Sequence, residues 1–159
     1  MKNKKILITG IAGFIGSNVA KKFIKEGFQV IGIDNLSTGK IENVPDQAKF
    51  INGDLVDLKT YQEIKDNCHY ILHFAGQSSG EISFEDPVQD LRKNTISTLN
   101  LIKYGIDTKA EKILYASSMS IYGNTENKPA IEEQIPHPIS CYGISKLCSE
   151  KYLEIFSKQ

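Results

Sequence analysis

The chain has 159 residues, with 19 basic and 19 acidic side chains, so its formal net charge is zero. A neutral balance excludes a general attraction to polyanions, and we expect no nucleic-acid partner. With 40% hydrophobic and 24% charged residues, the composition is typical of a globular domain and excludes a disordered, collagen-like or coiled-coil chain. No apolar run approaches the roughly 18 residues of a membrane-spanning helix, so no membrane partner is expected.

Short apolar segments alternate with helical ones along the whole chain. This alternation predicts right-handed βαβ crossovers and a parallel sheet. Continuous apolar strands are typical of a sheet that is covered on both faces, so the expected fold class is α/β, a doubly wound parallel sheet in one domain over residues 1–159. The five predicted strands are Lys5–Thr9, Gln29–Asp34, Lys49–Asn52, Tyr70–Phe74 and Lys112–Ser117.

Start and stop signals delimit the predicted helices. The first spans Gly13–Glu26 and ends at a glycine, and Asp57 caps a short second helix. A longer helix opens at Asp86 and the last one near Ser140. The 3.6-residue period predicts that the first helix buries Ile15, Val19 and Phe23, and that the long helix buries Val88, Leu91, Thr95, Leu99 and Ile102 before it stops near Gly105.

Two further segments carry sequence signals. The proline-containing stretch Gly123–Pro138 is long for a connection and is a candidate functional loop. The three cysteines are odd in number and form no Cys-x-x-Cys pair, which favours reduced thiols and a cytoplasmic location. The three histidines show no metal-ligand spacing, so no metal ion is expected.

Three glycines follow the first predicted strand and open the first helix. Gly10 allows a sharp turn, Gly13 allows the backbone to approach a pyrophosphate, and Gly16 allows close packing of helix on sheet. The N–H groups and dipole of the helix N-terminus then face the phosphates. This arrangement predicts a dinucleotide site.

Asp34 ends the second predicted strand, 18 residues after Gly16. An acidic side chain in this place accepts hydrogen bonds from the adenosine ribose. The same carboxylate would repel a 2′-phosphate, and the single arginine of the chain, Arg92, is distant in sequence, so NAD is favoured over NADP. The alternative is a solvated turn residue before Asn35.

Asp54 follows the third predicted strand. It is placed to reach the adenine amino group, with Leu55 packing on the ring. A simple turn aspartate is the alternative interpretation of Asp54.

Tyr142 and Lys146 are four residues apart and share one helix face. An ammonium beside a tyrosine stabilises the phenolate, which makes the tyrosine a base near neutral pH. Spacing alone is weak evidence, since Tyr61 and Lys65 have the same separation. Tyr142 is preferred because it follows a serine-rich strand end containing Ser118, although these serines could equally cap a loop.

Together these motifs resemble the extended short-chain dehydrogenase/reductase family, in its NAD-dependent UDP-hexose epimerase branch. The resemblance covers essentially the whole chain, and its motifs occur in the family's order. The segments that carry it are Thr9–Gly16, Asp34–Gly39, Asp54, His73–Gly76, Asn94, Ser117–Gly123 and Tyr142–Lys146.

The resemblance implies a Rossmann sheet that binds NAD and a catalytic trio of Ser118, Tyr142 and Lys146. Tyr142 would take a proton from a sugar hydroxyl as NAD oxidises the sugar, Ser118 would hydrogen-bond that oxygen, and Lys146 would hold the nicotinamide ribose. The keto sugar would turn over and be reduced on its other face. The cofactor-binding residues implied are Gly10, Gly13, Phe14, Ile15, Gly16, Asp34, Asn35, Ser37, Thr38, Gly39, Asp54, Leu55, Phe74, Ala75, Gly76, Asn94, Ser117, Tyr142 and Lys146.

The two residues after Ser118 restrict the reactions that the family resemblance allows. Related 4,6-dehydratases carry Asp and Glu at these two positions, because loss of water needs an acid and a base. Met119 and Ser120 stand there instead, which disfavours dehydratase and decarboxylase chemistry and leaves a 4-epimerase or a reductase.

The resemblance also implies a homodimer formed through the helices that begin at Asp86 and Ser140. In the family a substrate lobe follows the tyrosine helix, whereas this chain stops at Gln159. We therefore expect the nucleotide-sugar pocket to lie outside these residues. This chain would then be an excised N-terminal domain or a truncated gene product, inactive on its own. A catalytically silent NAD-binding or interaction module is the alternative.

Overall fold

The computed structural model describes residues 4–125 and 129–158. Its centre is a five-stranded parallel sheet in the order β3-β2-β1-β4-β5. The order reverses between β1 and β4, which is the switch point where open α/β sheets bind ligands. The strands are β1 (Lys5–Thr9), β2 (Gln29–Asp34), β3 (Lys49–Asn52), β4 (Tyr70–His73) and β5 (Lys112–Tyr115).

The first three strands have the predicted bounds, but β4 and β5 end one and two residues early. Phe74 N still donates to Thr9 O at 3.2 Å, and Ala116 N donates to His73 O at 3.1 Å. The chain therefore leaves the sheet directly after a last hydrogen bond at its carboxyl edge. The predicted extensions were wrong because apolar character continues into the loops that leave this edge.

Side chains of β1 alternate between two apolar clusters, one on each face of the sheet. Leu7 belongs to a cluster with Ile71, Leu101 and Tyr104, whereas Ile8 lies in the other cluster with Ala20. Both faces are thus covered, which confirms the doubly wound α/β fold.

The helices against the sheet begin and end near the predicted residues. Helix α1 spans Phe14–Lys25 and helix α2 spans Leu58–Gln62, where Asp57 accepts a hydrogen bond from Lys59 N. The predicted stripe of α1 was wrong at Ile15, which is exposed, because the face that packs closely consists of small side chains. These buried residues are Gly16, Ser17 and Ala20.

The long helix predicted from Asp86 is three segments in the structure. After a short helix α3 (Gly80–Glu85), they are α4 (Pro87–Leu91), a π-helical turn (Arg92–Ile96) and α5 (Ser97–Asp107). Asp86 caps α4 by accepting from Gln89 N, as predicted. The last helix, α6, spans Cys141–Phe156 and is capped by Ser140.

The buried face of α4 differs from the predicted one. Val88 and Leu91 are exposed, while Asp90 and Asn94 are buried. A π turn holds one more residue than an α turn, so it changes which side chains face inward. The predicted stripe was therefore wrong at Val88 and Leu91, before the π turn, whereas Thr95 and Ile102 are buried as predicted and Leu99 is half-buried.

Contacts divide the chain into two compact units. One comprises 1–75 and 100–116 and holds the sheet; the other comprises 76–99 and 117–159 and holds α3, α4, the π turn and α6. The single-domain organisation stays a prediction. Of the candidate loop Gly123–Pro138, residues 126–128 lie outside the described residues.

Three findings concern the described part of the chain as a whole. None of its helices is long and apolar enough to cross a bilayer. Over the same residues, no group of three or more His, Cys, Asp or Glu side chains is arranged to hold a metal ion. The cysteines are free thiols, namely Cys68, Cys141 and Cys148.

Candidate functional site

The glycine-rich turn connects β1 to α1. Gly10 has a φ of +72°, a backbone angle that residues with a side chain rarely adopt, and its N–H donates to Ile33 O at 2.8 Å. A Cβ atom on Gly16 would overlap the carbonyl group of Gly10. The first turn of α1 therefore approaches the strand end more closely than any residue with a side chain would allow.

The start of α1 is open to an anion. Gly13 is extended and supplies no side-chain cap to the first-turn N–H groups. Phe14, directly after it, is 85% exposed, and Ile15 is also exposed. An uncapped helix N-terminus at the carboxyl edge of a parallel sheet fits a pyrophosphate through backbone donors and the helix dipole.

The Asp34 carboxylate binds the backbone of the glycine turn. Its Oδ2 atom accepts from Ala12 N at 3.0 Å, and its Oδ1 atom accepts from Leu36 N at 2.9 Å. Each oxygen has a second lone pair for a ribose hydroxyl. Asp34 can thus serve the ribose while it also fixes the turn, a second role that its position in the sequence did not reveal.

Ala12 joins the turn to the loop after β2, and sequence reasoning missed it. Its carbonyl accepts from Lys40 N at 3.1 Å and from Asn43 Nδ2 at 2.9 Å. A Cβ atom on Gly39 would lie 2.8 Å from the Ala12 Cβ atom. The only sequence signal for this contact was the small size of Ala12 and Gly39. Ser37 and Thr38, which precede Gly39 in the same loop, are exposed.

Asp54 lies at the end of β3 and is paired with the Asp34 loop. Asn35 Nδ2 donates to Asp54 Oδ2 at 3.0 Å, and Val56 N donates to Oδ1 at 2.9 Å. Leu55 points into the sheet's core cluster, where it is buried. If Leu55 contacts an adenine ring, the contact must therefore involve the outer edge of the Leu55 side chain or the Leu55 backbone.

The end of β4 is tied to β1 through two buried polar side chains. Thr9 Oγ1 and His73 Nδ1 are 2.7 Å apart, and Ala75 N donates to Thr9 Oγ1 at 3.2 Å. His73 is therefore a hydrogen-bonded structural residue. A Cβ atom on Gly10 would lie 2.9 Å from the carbonyl carbon of Phe74, so the segment Phe74–Ala75 runs against the glycine turn.

In the second unit, Asn94 lies in the π turn and is buried. Its Nδ2 atom donates to Asp90 Oδ1 and to Ser145 Oγ, both at 3.0 Å. A Cβ atom on Gly76 would lie 2.6 Å from Asn94 Oδ1, so only glycine fits here. Asp90 was missed by sequence reasoning, because it stood on the helix face expected to be solvated.

The serines after β5 differ in their surroundings. Ser118 caps a 3₁₀ turn over Met119–Ile121, since its Oγ accepts from Ser120 N at 3.2 Å and lies 3.2 Å from Ser120 Oγ. Ser117 Oγ is buried and has no hydrogen-bond partner within the described residues. Ser118 thus has the loop-capping role that the sequence left open as an alternative. Its hydroxyl is only half-buried and remains accessible to a ligand.

Tyr142 and Lys146 share the buried face of α6. Their relative exposures are 8% and 6%, and Lys146 Nζ is 6.0 Å from the centroid of the Tyr142 ring. Burial lowers the pKa of Lys146 to about 8, although the charges of Asp90 and Glu150 act to raise it. Lys146 is thus a buried amine one helical turn from the Tyr142 ring.

Tyr61, which has the same spacing to a lysine, has a structural role. Its hydroxyl donates to Leu55 O at 3.1 Å, and its ring lies 5.6 Å from that of Tyr104. Burial raises the pKa of Tyr61 above its ordinary value, and the nearby Asp54 charge acts in the same direction. Tyr61 is therefore held in its neutral form, unsuited to act as a base.

Comparison with known proteins gives a family match. Residues 6–159 match the model of the NAD dependent epimerase/dehydratase family. A curated protein of Methanocaldococcus jannaschii, named provisionally as a UDP-glucose 4-epimerase, is 36% identical over 96% of this chain. The chain spans about half the length of that relative, 51%.

Solved structures of UDP-glucose 4-epimerases are also similar to this chain. The crystal structure of UDP-glucose 4-epimerase from Thermotoga maritima, with UDP-glucose, has a TM-score of 0.93 and 40% identity. That match covers 98% of this chain and 52% of the other. The UDP-glucose 4-epimerase of Thermus thermophilus in complex with NAD has a TM-score of 0.90 and 37% identity, covering 97% and 51%.

Proposed function

Because this chain belongs to the NAD dependent epimerase/dehydratase family, we propose that it is the NAD-binding part of a UDP-hexose 4-epimerase. The observation that carries the proposal is the buried Tyr142–Lys146 pair on α6. A base for a sugar hydroxyl must lose its own proton near neutral pH, and a neighbouring ammonium is the means to achieve this.

The residues of the first unit fit NAD. The uncapped start of α1 supplies N–H donors for the pyrophosphate, and Asp34 offers two carboxylate lone pairs to the adenosine ribose. A 2′-phosphate beside Asp34 would meet a negative charge. These features support NAD rather than NADP as the cofactor.

The proposed roles in the second unit follow from side-chain chemistry. When bound, NAD supplies reversible oxidation of the sugar carbon. Tyr142 accepts the proton of the sugar hydroxyl and returns it, Lys146 biases Tyr142 toward phenolate and holds the nicotinamide ribose, and Ser118 donates a hydrogen bond to the sugar oxygen. Asn94, Gly76 and Ser117 are proposed as further cofactor-binding residues of this unit.

Met119 supports epimerisation over elimination. Its side chain is 77% exposed and has no group that can transfer a proton. Ser120 follows it and is a poor acid at neutral pH. Dehydration needs a proton donor for the leaving hydroxyl, and this segment offers none at those positions.

Partner and location complete the proposal. Helices α3, α4 and α6 carry exposed apolar side chains, and we propose that these form a homodimer interface. They are Ile82, Phe84, Val88, Leu91, Ile144 and Ile155. Three free cysteines are consistent with the cytoplasm as the proposed location.

The proposal is tested with the full-length product of the source gene. Incubation with NAD and UDP-galactose, followed by chromatography, should show UDP-glucose at equilibrium without net formation of NADH. Net NADH formation would mean net oxidation of the sugar and would indicate a reductase, here running in reverse, instead. Binding of NAD without turnover of any UDP-hexose would indicate a silent module.

A further inference from the structure

Asn43 is a polar side chain to which the proposed function gives no role. It is half-buried at the end of a 3₁₀ turn over Ile41–Asn43, in the connection between β2 and β3. Its Nδ2 atom donates to Ala12 O at 2.9 Å, and Lys40 N donates to the same oxygen at 3.1 Å. A carbonyl oxygen has two lone pairs, so these two donors occupy both.

The N–H group of Ala12 is held as well. Ala12 is fully buried, and its N–H donates to Asp34 Oδ2 at 3.0 Å. The next N–H group along the chain, that of Gly13, donates to Gly10 O at 3.1 Å. Because the polar groups on both sides of the peptide bond between Ala12 and Gly13 are engaged, this peptide plane has little freedom to rotate.

The orientation of this peptide determines how α1 begins. Gly13 is the N-cap residue, with an extended backbone, and its carbonyl accepts a helical hydrogen bond from Ser17 N at 3.0 Å. The proposed pyrophosphate donors are backbone N–H groups of the residues that follow, such as Phe14. Backbone donors have no rotamers of their own, so their direction depends on how the preceding peptide is held.

The segment that holds Ala12 O is itself in a constrained conformation. Leu36 has a φ of +57°, in the left-handed region that favours glycine. Further along, a Cβ atom on Gly39 would lie 2.8 Å from the Ala12 Cβ atom, so the close approach requires a glycine. Such a conformation persists only where surrounding contacts hold it. The two hydrogen bonds to Ala12 O are contacts of this kind, and they couple the loop to the glycine turn.

A role within its own turn does not explain the Asn43 side chain. The 3₁₀ turn is closed by backbone groups, since Asn43 N donates to Lys40 O at 3.0 Å. The side-chain amide instead reaches a residue 31 positions earlier in the chain. Of the two donors to Ala12 O, it is also the one that a substitution removes, because the other belongs to the backbone.

From these contacts we propose that Asn43 is a positioning residue for the cofactor. Its amide holds the Ala12 carbonyl so that the N–H groups at the start of α1 already point toward the pyrophosphate before NAD binds. The inference rests on the placement of the pyrophosphate in the proposed function. It does not rest on the proposed reaction, because it requires neither a sugar nor a proton transfer.

The test compares two ligands of the 159-residue chain, of which only one carries phosphates. In Asn43→Leu, which keeps the approximate size of the side chain but removes the donor, the affinity for NAD in calorimetry should fall about fivefold. The affinity for adenosine, which offers a ribose to Asp34 but no phosphate, should stay within about twofold in an NMR titration. Asn67→Leu is the matched control and should bind NAD as wild type does, because Asn67 is exposed and precedes β4 at the opposite edge of the sheet.

Two results would overturn the inference. One is an unchanged NAD affinity in Asn43→Leu. The other is an equal loss of affinity for NAD and adenosine, which would show a general structural effect rather than an effect on the phosphate donors.

A measurement on wild type covers the case in which Asn43→Leu does not fold. Coupling between two sites is reciprocal, so saturating NAD should slow the hydrogen exchange of Lys40 N–H about fivefold. Ala48 N–H donates to Pro45 O at 2.9 Å in the same connection and is the control amide, which should exchange at the same rate with and without NAD. Exchange at Lys40 that NAD does not slow would contradict the inference.

These measurements separate the inference from the proposed function. Wild type that binds no NAD would refute both. Wild type and Asn43→Leu that bind NAD equally well would refute the inference alone, whereas NAD binding by the full-length protein without turnover of UDP-hexose would refute the epimerase alone.

Discussion

On α6, the Nζ atom of Lys146 lies 6.0 Å from the ring centroid of Tyr142, and both side chains are buried. The two residues are one helical turn apart, so the helix itself sets their separation. In the proposed function, Tyr142 is the acid/base and Lys146 the amine beside it. The expected consequences concern proton transfer, cofactor choice and stability.

Tyr142→Phe in the full-length protein should abolish epimerisation while NAD affinity stays within about twofold. The substitution removes the proposed acid/base but no phosphate donor, and such groups are commonly worth about 10²–10⁴ in rate. Chromatography of UDP-hexoses and calorimetry with NAD measure the two effects. Tyr61→Phe is the control: it should cost about 1 kcal/mol of stability through its lost hydrogen bond to Leu55 O and leave turnover unchanged.

Asp34→Ala should weaken NAD binding about tenfold, since it removes the ribose acceptor and the anchor of Ala12 N. Wild type should bind NAD more tightly than NADP in calorimetric titrations. Asp34→Asn keeps one acceptor oxygen but removes the negative charge, so it should reduce the difference between the affinities for NAD and NADP. The exposed Asp46→Ala serves as control, and equal affinities of wild type for the two cofactors would refute the assignment.

Lys146→Met should raise the free energy of unfolding at pH 7, by about 1–3 kcal/mol. The pKa of buried Lys146 is lowered from 10.5 to about 8, so below pH 8 the folded chain bears the full cost of a buried charge. Between about pH 8 and 10.5 the unfolded state binds more protons, and wild type gains stability as pH rises. The Lys146 charge also acts to lower the pKa of buried Asp90, so its removal offsets part of the gain in Lys146→Met.

Urea unfolding at pH 7 and pH 10 measures this difference. The difference in the free energy of unfolding between wild type and Lys146→Met should be smaller at pH 10 than at pH 7. A variant that is less stable than wild type by the same amount at both pH values would show that the charge of Lys146 carries no burial cost.

The chain should self-associate at micromolar concentration through α3, α4 and α6. Val88→Lys places a charge in the exposed apolar set and should shift sedimentation toward monomer. Ile41→Lys is the matched control, because Ile41 is also exposed but lies in a 3₁₀ turn on none of these helices. A monomer for wild type at this concentration would count against the homodimer.

The 159-residue chain should bind NAD yet convert no measurable UDP-galactose. It spans about half the length of its relatives, and the orientation of a substrate that it does not fully enclose contributes little to the rate. Chromatography after incubation with NAD provides the measurement. Robust formation of UDP-glucose would show that these residues hold the sugar without further chain.

The glycine turn, the ends of β1, β2 and β3, and the helix caps at Asp57, Asp86 and Ser140 follow from sequence. These features depend on residues close together along the chain: a glycine that permits positive φ, a side-chain oxygen that accepts from an N–H group two or three residues later, or an apolar run of strand length. Local chemistry determines them, so local sequence predicts them.

The buried face of α4, the second role of Asp34 and the hydrogen bonds of Asp90 with Gln77 and Asn94 were decided only by the tertiary structure. The π turn after Leu91 shifts the helix phase, so Val88 is exposed and the carboxylate of Asp90 is buried. The hydrogen bond from Asn94 to Ser145, 51 positions later, has no signal in sequence. Burial and charge pairing depend on which distant segments meet, and packing alone sets those distances.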